Sequence, residues 1–336
     1  MVKPESVLCP KPEGLYCAPG DFFIDPVRPV ARAVITHGHA DHARAGHGVV
    51  VATPQTLDIM AVRYGEGFCA KAEPVAYGES LTRDGVEVKL VPAGHVLGSA
   101  QAVVRYKGLT MVVSGDYKRR RDPTCPPFEP VPCEVFISEA TFGLPVFAFP
   151  EASEEIGALL HSVEQFPERC HIVGAYALGK AQRIIRLLRE GGYEQTIYVH
   201  GALARLNELY ERHGIDLGPI APATDDKNAN FAGAVIVAPP SALQDRWSRR
   251  FPDPVSAFAS GWMRVRARAR QRAVELPLVI SDHADWNELT STIKEIDPAQ
   301  LWITHGREEA LARWAELNGI AARPLELVGY EEEEGE

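Results

Sequence analysis

Ala33-Val34-Ile35-Thr36-His37-Gly38-His39-Ala40-Asp41-His42 decides how this chain is read. A short apolar run ends in three histidines and one aspartate within six residues. Side chains two apart in extended chain share a face, so His37 and His39 can grip one ion. Asp41 and His42 follow as the chain turns and can face a second ion beside the first. Imidazole and carboxylate suit zinc, or manganese where oxygen ligands are more numerous. The competing reading is a polar loop rich in histidine by chance, which this density of ligand-type residues disfavours.

The same pattern recurs outward from that stretch. Val86 to Val91 runs into Gly94-His95, and Met111-Val112-Val113 into Ser114-Gly115-Asp116. Val135-Phe136-Ile137 ends at Ser138-Glu139, Leu278-Val279-Ile280 at Ser281-Asp282-His283, and Leu301-Trp302-Ile303 at Thr304-His305-Gly306. Each apolar strand delivers a ligand-type residue at its exit, and in α/β sheets such exits along one edge form the usual site. Any one of them alone could be a helix cap or a surface residue.

Up to about residue 146, short apolar runs alternate with Gly and Pro turns, with one clear helix opened by Thr53-Pro54. From Glu151 the pattern becomes alternating helix and strand, with Leu178 to Glu190 a strong helix stopped by Gly191-Gly192. After the arginines at 264, 266, 268, 270 and 272 the first style returns. The expectation is an α/β protein with one discontinuous domain, 1–146 and 273–330, interrupted by an inserted α/β domain at 147–272 and followed by an acidic tail at 331–336.

The chain has 336 residues, 46% of them hydrophobic and 24% charged, ordinary values for a globular protein with real cores. No apolar run is long enough to span a membrane, and Met1-Val2-Lys3-Pro4-Glu5-Ser6 lacks the build of a secretory signal, so a cytoplasmic location is expected. Six cysteines without a CxxC pair argue against a disulfide framework or a zinc ribbon. The net charge of −10 argues against a general nucleic-acid binder, but the acidic tail carries half of it. Lys118-Arg119-Arg120-Arg121 and the later arginines leave room for an anionic substrate.

These motifs resemble the metallo-β-lactamase superfamily and, within it, the β-CASP nucleases. His37-x-His39-x-Asp41-His42, Gly94-His95 and Ser114-Gly115-Asp116-Tyr117 match the successive metal motifs of the superfamily. Ser138-Glu139, Ser281-Asp282-His283 and Ile303-Thr304-His305-Gly306 look like the β-CASP motifs A, B and C, and Ala177 to Gln182 like a helix start in the inserted domain. The resemblance implies an αβ/βα sandwich carrying an inserted β-CASP domain. Gly14 to Pro26 narrows it to the bacterial ligase-associated DNA damage response exonucleases, which implies an ATP-dependent DNA ligase and a helicase as partners. Histidine at motif C is instead what RNA-cleaving β-CASP enzymes carry.

Carried over by position, His37, His39 and His95 would hold one ion and Asp41, His42 and His305 the other, with Asp116 bridging. His283 would be the general acid and Glu139 its carboxylate partner, so that His283, Glu139 and Asp41 are the catalytic candidates. The implied activity is metal-dependent exonucleolytic hydrolysis of DNA, with Zn2+ or Mn2+ as cofactor. An RNA-processing nuclease is the alternative, and a small-molecule metallo-hydrolase a further one.

Lys180, Ser260, Gly261, Trp262, Arg264, Arg266 and Arg268 are candidates for nucleic-acid contact, in a channel between the domains. Arginines would meet phosphates and Trp262 would stack on a base. The bland alternative is a solvated edge element for the arginines and a solvated surface position for Lys180. Asp282 reads as a hydrogen-bonding neighbour of the site or as a cap, and Asp285 as a helix cap. His47 reads as structural, and His200 as a strand-end histidine or a phosphate contact.

Overall fold

The computed structural model describes residues 2–223, 230–306, 308–325 and 327. The acidic tail at 331–336 lies outside them. The chain divides into two compact units, Met1–Ala148 with His283–Gly335, and Phe149–Asp282.

In the first unit, the alternation of side chains along each strand sets the layers. Met111, Val113, Val135 and Ile137 enter a buried cluster with Leu15, Ile24, Val34, Val51, Val88, Leu90 and Trp302. Their neighbours Val112 and Phe136 enter another, with Leu289, Ile293, Leu311 and Ala315. Both faces of these strands are covered, which is why they read as unbroken apolar runs. Trp302 is 1% exposed, and its truncation to Ala would cost ~3–5 kcal/mol.

Two sheets result. The first has the order Leu8–Lys11, Gly14–Cys17, Phe22–Ile24, Arg32–Val34, His47–Ala52 and Cys69–Pro74. It begins antiparallel and turns parallel from Phe22–Ile24 onward. The second runs Ala321–Pro324, Gln300–Gly306, Val135–Ala140, Leu109–Val113, Ala100–Tyr106, Val86–Pro92 and Ser80–Arg83. Its first four strands are parallel and its last four antiparallel. Helix Pro54–Tyr64, capped by Thr53, covers the first sheet through Leu57 and Met60. Helices Trp286–Ile296 and Glu308–Leu317 cover the second. This is the αβ/βα sandwich expected. Asp285 caps Trp286–Ile296 through a reciprocal pair with Glu288.

The second unit is built on a six-stranded, wholly parallel sheet in the order Ile220–Pro222, Ile197–Val199, Val235–Ala238, His171–Gly174, Val255–Ala259 and Leu276–Leu278. Helices Ala152–Gln165, Lys180–Glu190 and Ala204–Arg212 accompany it.

Three expectations change. The strand read at Leu278 to Ile280 lies at Leu276–Leu278 and pairs with Val255–Ala259, so the return to the first unit falls after Asp282 rather than after residue 272. The arginine stretch is a short helix, Arg266–Arg272, and not an edge element. At 100° per residue, alternate arginines cannot share a face as they would on a strand. Lys118-Arg119-Arg120 is turned to internal partners: Lys118 to Asp122 at 2.7 Å, Arg119 to Glu295 at 2.7 Å and Arg120 to Asp285 at 3.0 Å.

The six cysteines are thiols, none joined in a disulfide. Burial pushes the thiols of Cys17 and Cys170 up to about 11 and that of Cys133 up to about 12. Among the described residues, no helix is long and apolar enough to cross a membrane.

Candidate metal centre

The histidine stretch leaves strand Arg32–Val34 and is fixed from three directions. Asp25, buried at the exit of Phe22–Ile24, accepts from the Thr36 amide at 2.7 Å and holds His42 Nδ1 at 2.9 Å. Arg63 donates to the Gly38 carbonyl at 3.0 Å. Gly38 itself has no room for a side chain, because a Cβ there would lie 2.5 Å from Ile59 Cγ2. The His95 loop is held by Ser99 Oγ, which accepts from the His95 amide at 3.1 Å. Thr53 and Thr56 hydroxyls donate to the Gly98 carbonyl at 2.7 and 3.0 Å.

Asp116 enters at the exit of Leu109–Val113, and its Oδ2 lies 3.4 Å from His37 Nε2, 3.5 Å from His42 Nε2 and 3.7 Å from His95 Nε2. The ligand atoms of His37, His39, His95 and Asp116 lie within 4.8 Å of one another and could hold an ion. So do those of His42, Asp116 and His305, with Asp116 common to both groups. Asp41 Oδ2 stands 3.6 Å from His42 Nε2, with its side chain 21% exposed. His305 reaches the site on left-handed backbone, φ +59, followed by Gly306 at φ +95.

His283 and Glu139 complete the cluster. His283 Nδ1 lies 3.0 Å from Glu139 Oε2, and Glu139 Oε1 accepts from the Tyr117 amide at 2.7 Å. Asp116, Glu139 and His283 form a third group compact enough for a cation.

Charge explains why this set fits divalent ions. Burial, with help from His42 and His39, pushes His37 down, against the pull of Asp116. Burial and the neighbouring His37, His283 and His39 push His95 well below the ordinary range. Burial and His42 push His305 down to about 4. These rings are neutral at pH 7, the form that offers a lone pair to a metal. Burial opposes charge on His42 too, but Asp116, Asp41 and Asp25 outweigh it and raise that ring to about 10. The carboxylates that keep a proton there are the ones that would neutralise a dication. His37 Nε2 is fully buried and makes no hydrogen bond to a described residue, which suits a ligand atom.

Apart from His47, the remaining candidates lie in the second unit. Lys180 is 3% exposed rather than solvated; its Nζ donates to the Ile280 carbonyl at 2.9 Å and lies 3.2 Å from Asp282 Oδ2. Arg183 holds the other oxygen of Asp282 at 3.0 Å. Asp282 is therefore an internal ion-pair partner and caps no helix. Ser260 and Gly261 are buried, Ser260 capping the Trp262 amide. Arg268 lies 3.8 Å from the centre of the Trp262 ring, while Arg264 and Arg266 are exposed. His47 accepts from the Val30 amide at 3.2 Å, and His200 from Ala202 at 3.1 Å, both local structural bonds.

The sequence places Lys118 only in a basic run open to an anion and Asp25 only within the stretch Gly14 to Pro26, neither at the metal site. Asp25 carried the signal that flagged Asp116, an apolar strand ending in a carboxylate. Nothing in the sequence separates Lys118 from the three arginines that follow it.

No family model matches the chain. Over 321 residues it is 27% identical to a probable DNA ligase from Opitutus terrae, covering 90% of this chain and 30% of that protein. Over 326 residues it is 31% identical to endoribonuclease YSH1 from Yarrowia lipolytica, covering 77% and 39%. Cleavage and polyadenylation specificity factor subunit 3 from Dictyostelium discoideum is 24% identical over 294 residues, covering 72% and 38%. The chain thus spans 30–39% of the length of these relatives. A crystal structure of a protein of unknown function from Enterococcus faecalis shares the fold, with a TM-score of 0.58 at 15% identity over 89% of this chain and 80% of that one. Relatives of this kind, matched along most of the chain, put the protein in the β-CASP branch of the metallo-β-lactamase fold.

Proposed function

We propose that this protein is a metal-dependent phosphodiesterase that degrades DNA as an exonuclease, using two divalent ions, zinc by preference and manganese as the alternative. The observation that carries the reading is Asp116, whose one oxygen is within 3.7 Å of imidazoles from two ligand groups beside the His283–Glu139 pair. His37, His39 and His95 would hold one ion and Asp41, His42 and His305 the other, with Asp116 serving both. Bound there, such ions supply charge that neutralises phosphate oxygens and acidifies an attacking water.

The protein's own groups handle the protons. His283 presents Nδ1 to Glu139, which leaves Nε2 to donate to the departing sugar oxygen. Glu139 holds that ring in place and favours its protonated form. Asp41, more open to solvent than Asp116, can take the proton lost by the attacking water. Trp262 and Arg264, Arg266 and Arg268 would contact the strand being degraded, with Ser260 and Gly261 shaping the turn that carries them; Lys180 is engaged internally and supports Asp282.

DNA as substrate is favoured by the stretch Gly14 to Pro26 and by the match to 30% of a protein named as a probable DNA ligase. A role in DNA repair beside a ligase and a helicase belongs to the same reading. A second reading, RNA cleavage, is favoured by His305 and by the endoribonuclease named among the relatives. Matched single-stranded DNA and RNA, labelled at either end, would be digested side by side with zinc or manganese. Stepwise loss of the DNA label with RNA intact supports the DNA reading; preferential internal cuts in RNA overturn it.

A further inference from the structure

We propose that Lys118 and Asp122 form a buried positioning pair that fixes the backbone of His95 and so governs the binding of one of the two ions and not the other; this rests on the metal-site reading above. Lys118 is 1% exposed, and its Nζ donates to the His95 carbonyl at 2.9 Å and to Asp122 Oδ2 at 2.7 Å. Asp122 is fixed in turn: its Oδ1 accepts from the Thr124 amide at 2.8 Å and the Thr124 hydroxyl at 2.6 Å.

The two segments are pressed together. The Lys118 amide donates to the Ala93 carbonyl at 3.3 Å. Gly94, at φ +75, would put a Cβ 2.5 Å from the Lys118 carbonyl, so nothing larger fits between them. His95 is thus held from its amide side by Ser99 and from its carbonyl side by Lys118. A buried ion pair adds little stability over apolar side chains of the same volume. Stability therefore accounts poorly for a lysine that spends a donor on the backbone of a ligand residue, whereas positioning accounts for it directly.

The asymmetry follows from membership. His95 belongs with His37, His39 and Asp116, and not with His42, Asp116 and His305. His42 has its own support in Asp25. Loosening Lys118 should therefore weaken one ion and spare the other.

The test is a chelator-competition titration of zinc into metal-stripped full-length protein, where the wild type should show two steps. Lys118→Met should lose ~10–100-fold in one step, the range for partners that orient a metal ligand, with the other unchanged. Lys118→Arg, which keeps a donor for both partners, should recover most of the loss. In a His95→Ala background, Lys118→Met should add nothing to that step. Thermal melting of the metal-free variants checks folding, and should Lys118→Met fail to fold, Asp122→Asn, which keeps an acceptor for Thr124, carries the test with the same expected loss. Equal weakening of both steps, no change in either, or additivity with His95→Ala overturns the proposal. A wild type that takes up no zinc defeats the metal reading itself, an outcome distinct from two intact steps in every variant.

Discussion

Glu139 Oε2 lies 3.0 Å from His283 Nδ1, and Glu139 is completely buried. A carboxylate that close to a ring nitrogen keeps the ring oriented and makes its protonated form easier to hold. His283→Ala should therefore retain both ions while turnover falls by ~10²–10⁴-fold, the usual loss for a positioned proton donor. Glu139→Gln, which still accepts a hydrogen bond but carries no charge, should fall between. Asp116→Ala should lose ions and turnover together. Metal content by emission spectroscopy, read beside nuclease rate, separates these cases, and full activity in His283→Ala would remove its assignment.

Acid should destabilise the metal-free protein below pH 6.5. His305 is pushed down to about 4, and His37 and His95 are lowered as well, from an ordinary 6.5. As the pH falls from 6.5 toward 4, the unfolded chain takes up protons at these positions that the folded chain refuses, so stability drops. His42 works in the opposite sense. Raised to about 10, its contribution is complete below 6.5 and lost as the pH climbs through 10. A maximum near pH 6.5 is expected, with a melting midpoint lower by ~5–10 °C at pH 4.5. A midpoint that rises on acidification contradicts this.

Arg268 stacks on Trp262 at 3.8 Å, and Arg266 is exposed nearby on the same short helix. Charge reversal of each, Arg266→Glu and Arg268→Glu, should weaken DNA binding and reduce the log–log salt slope by ~1 per residue. Anisotropy of labelled single-stranded DNA, measured without metal to prevent cleavage, reads the slope. An unchanged slope would make them ordinary solvent-facing residues.

Gly306 adjoins an irregularity in strand register, where the partner of Val135–Ala140 shifts between Glu139 and Ala140. A Cβ on Gly306 would overlap the Ala140 carbonyl. Gly306→Ala should cost more than the ~1–3 kcal/mol of an unfavourable backbone alone, and should disturb His305. Gly319→Ala is the control: its φ is +82, but nothing lies within 4 Å. Urea midpoints for the two should differ, with Gly306→Ala clearly lower.

Strand exits were legible because apolar runs such as Met111 to Val113 and Leu301 to Ile303 end abruptly in residues with only one obvious use. Both faces of those strands are buried, so their composition leaves little ambiguity. The buried cations were not legible. Lys118 and Lys180 look like surface residues until the chain brings Asp122 and Asp282 within 2.7 and 3.2 Å of them. Asp25 ends its apolar run as Asp116 does, but its use shows only when the fold brings Thr36 and His42, 11 and 17 residues away, against its carboxylate. Alternate arginines mimicked a strand because period 2 is a local signal, whereas the helix Arg266–Arg272 depends on contacts such as Arg268 on Trp262.

Chain order has a consequence for assembly. His37, His39, His95 and Asp116 are all present once residue 116 has been made, whereas His305 arrives only with the strand Gln300–Gly306, which must dock beside Val135–Ala140 after the whole second unit has been synthesised. A chain still being made therefore contains every residue of one candidate group long before it contains His305. Were a cation captured during synthesis, the group that includes His95 would be the first to exist for it.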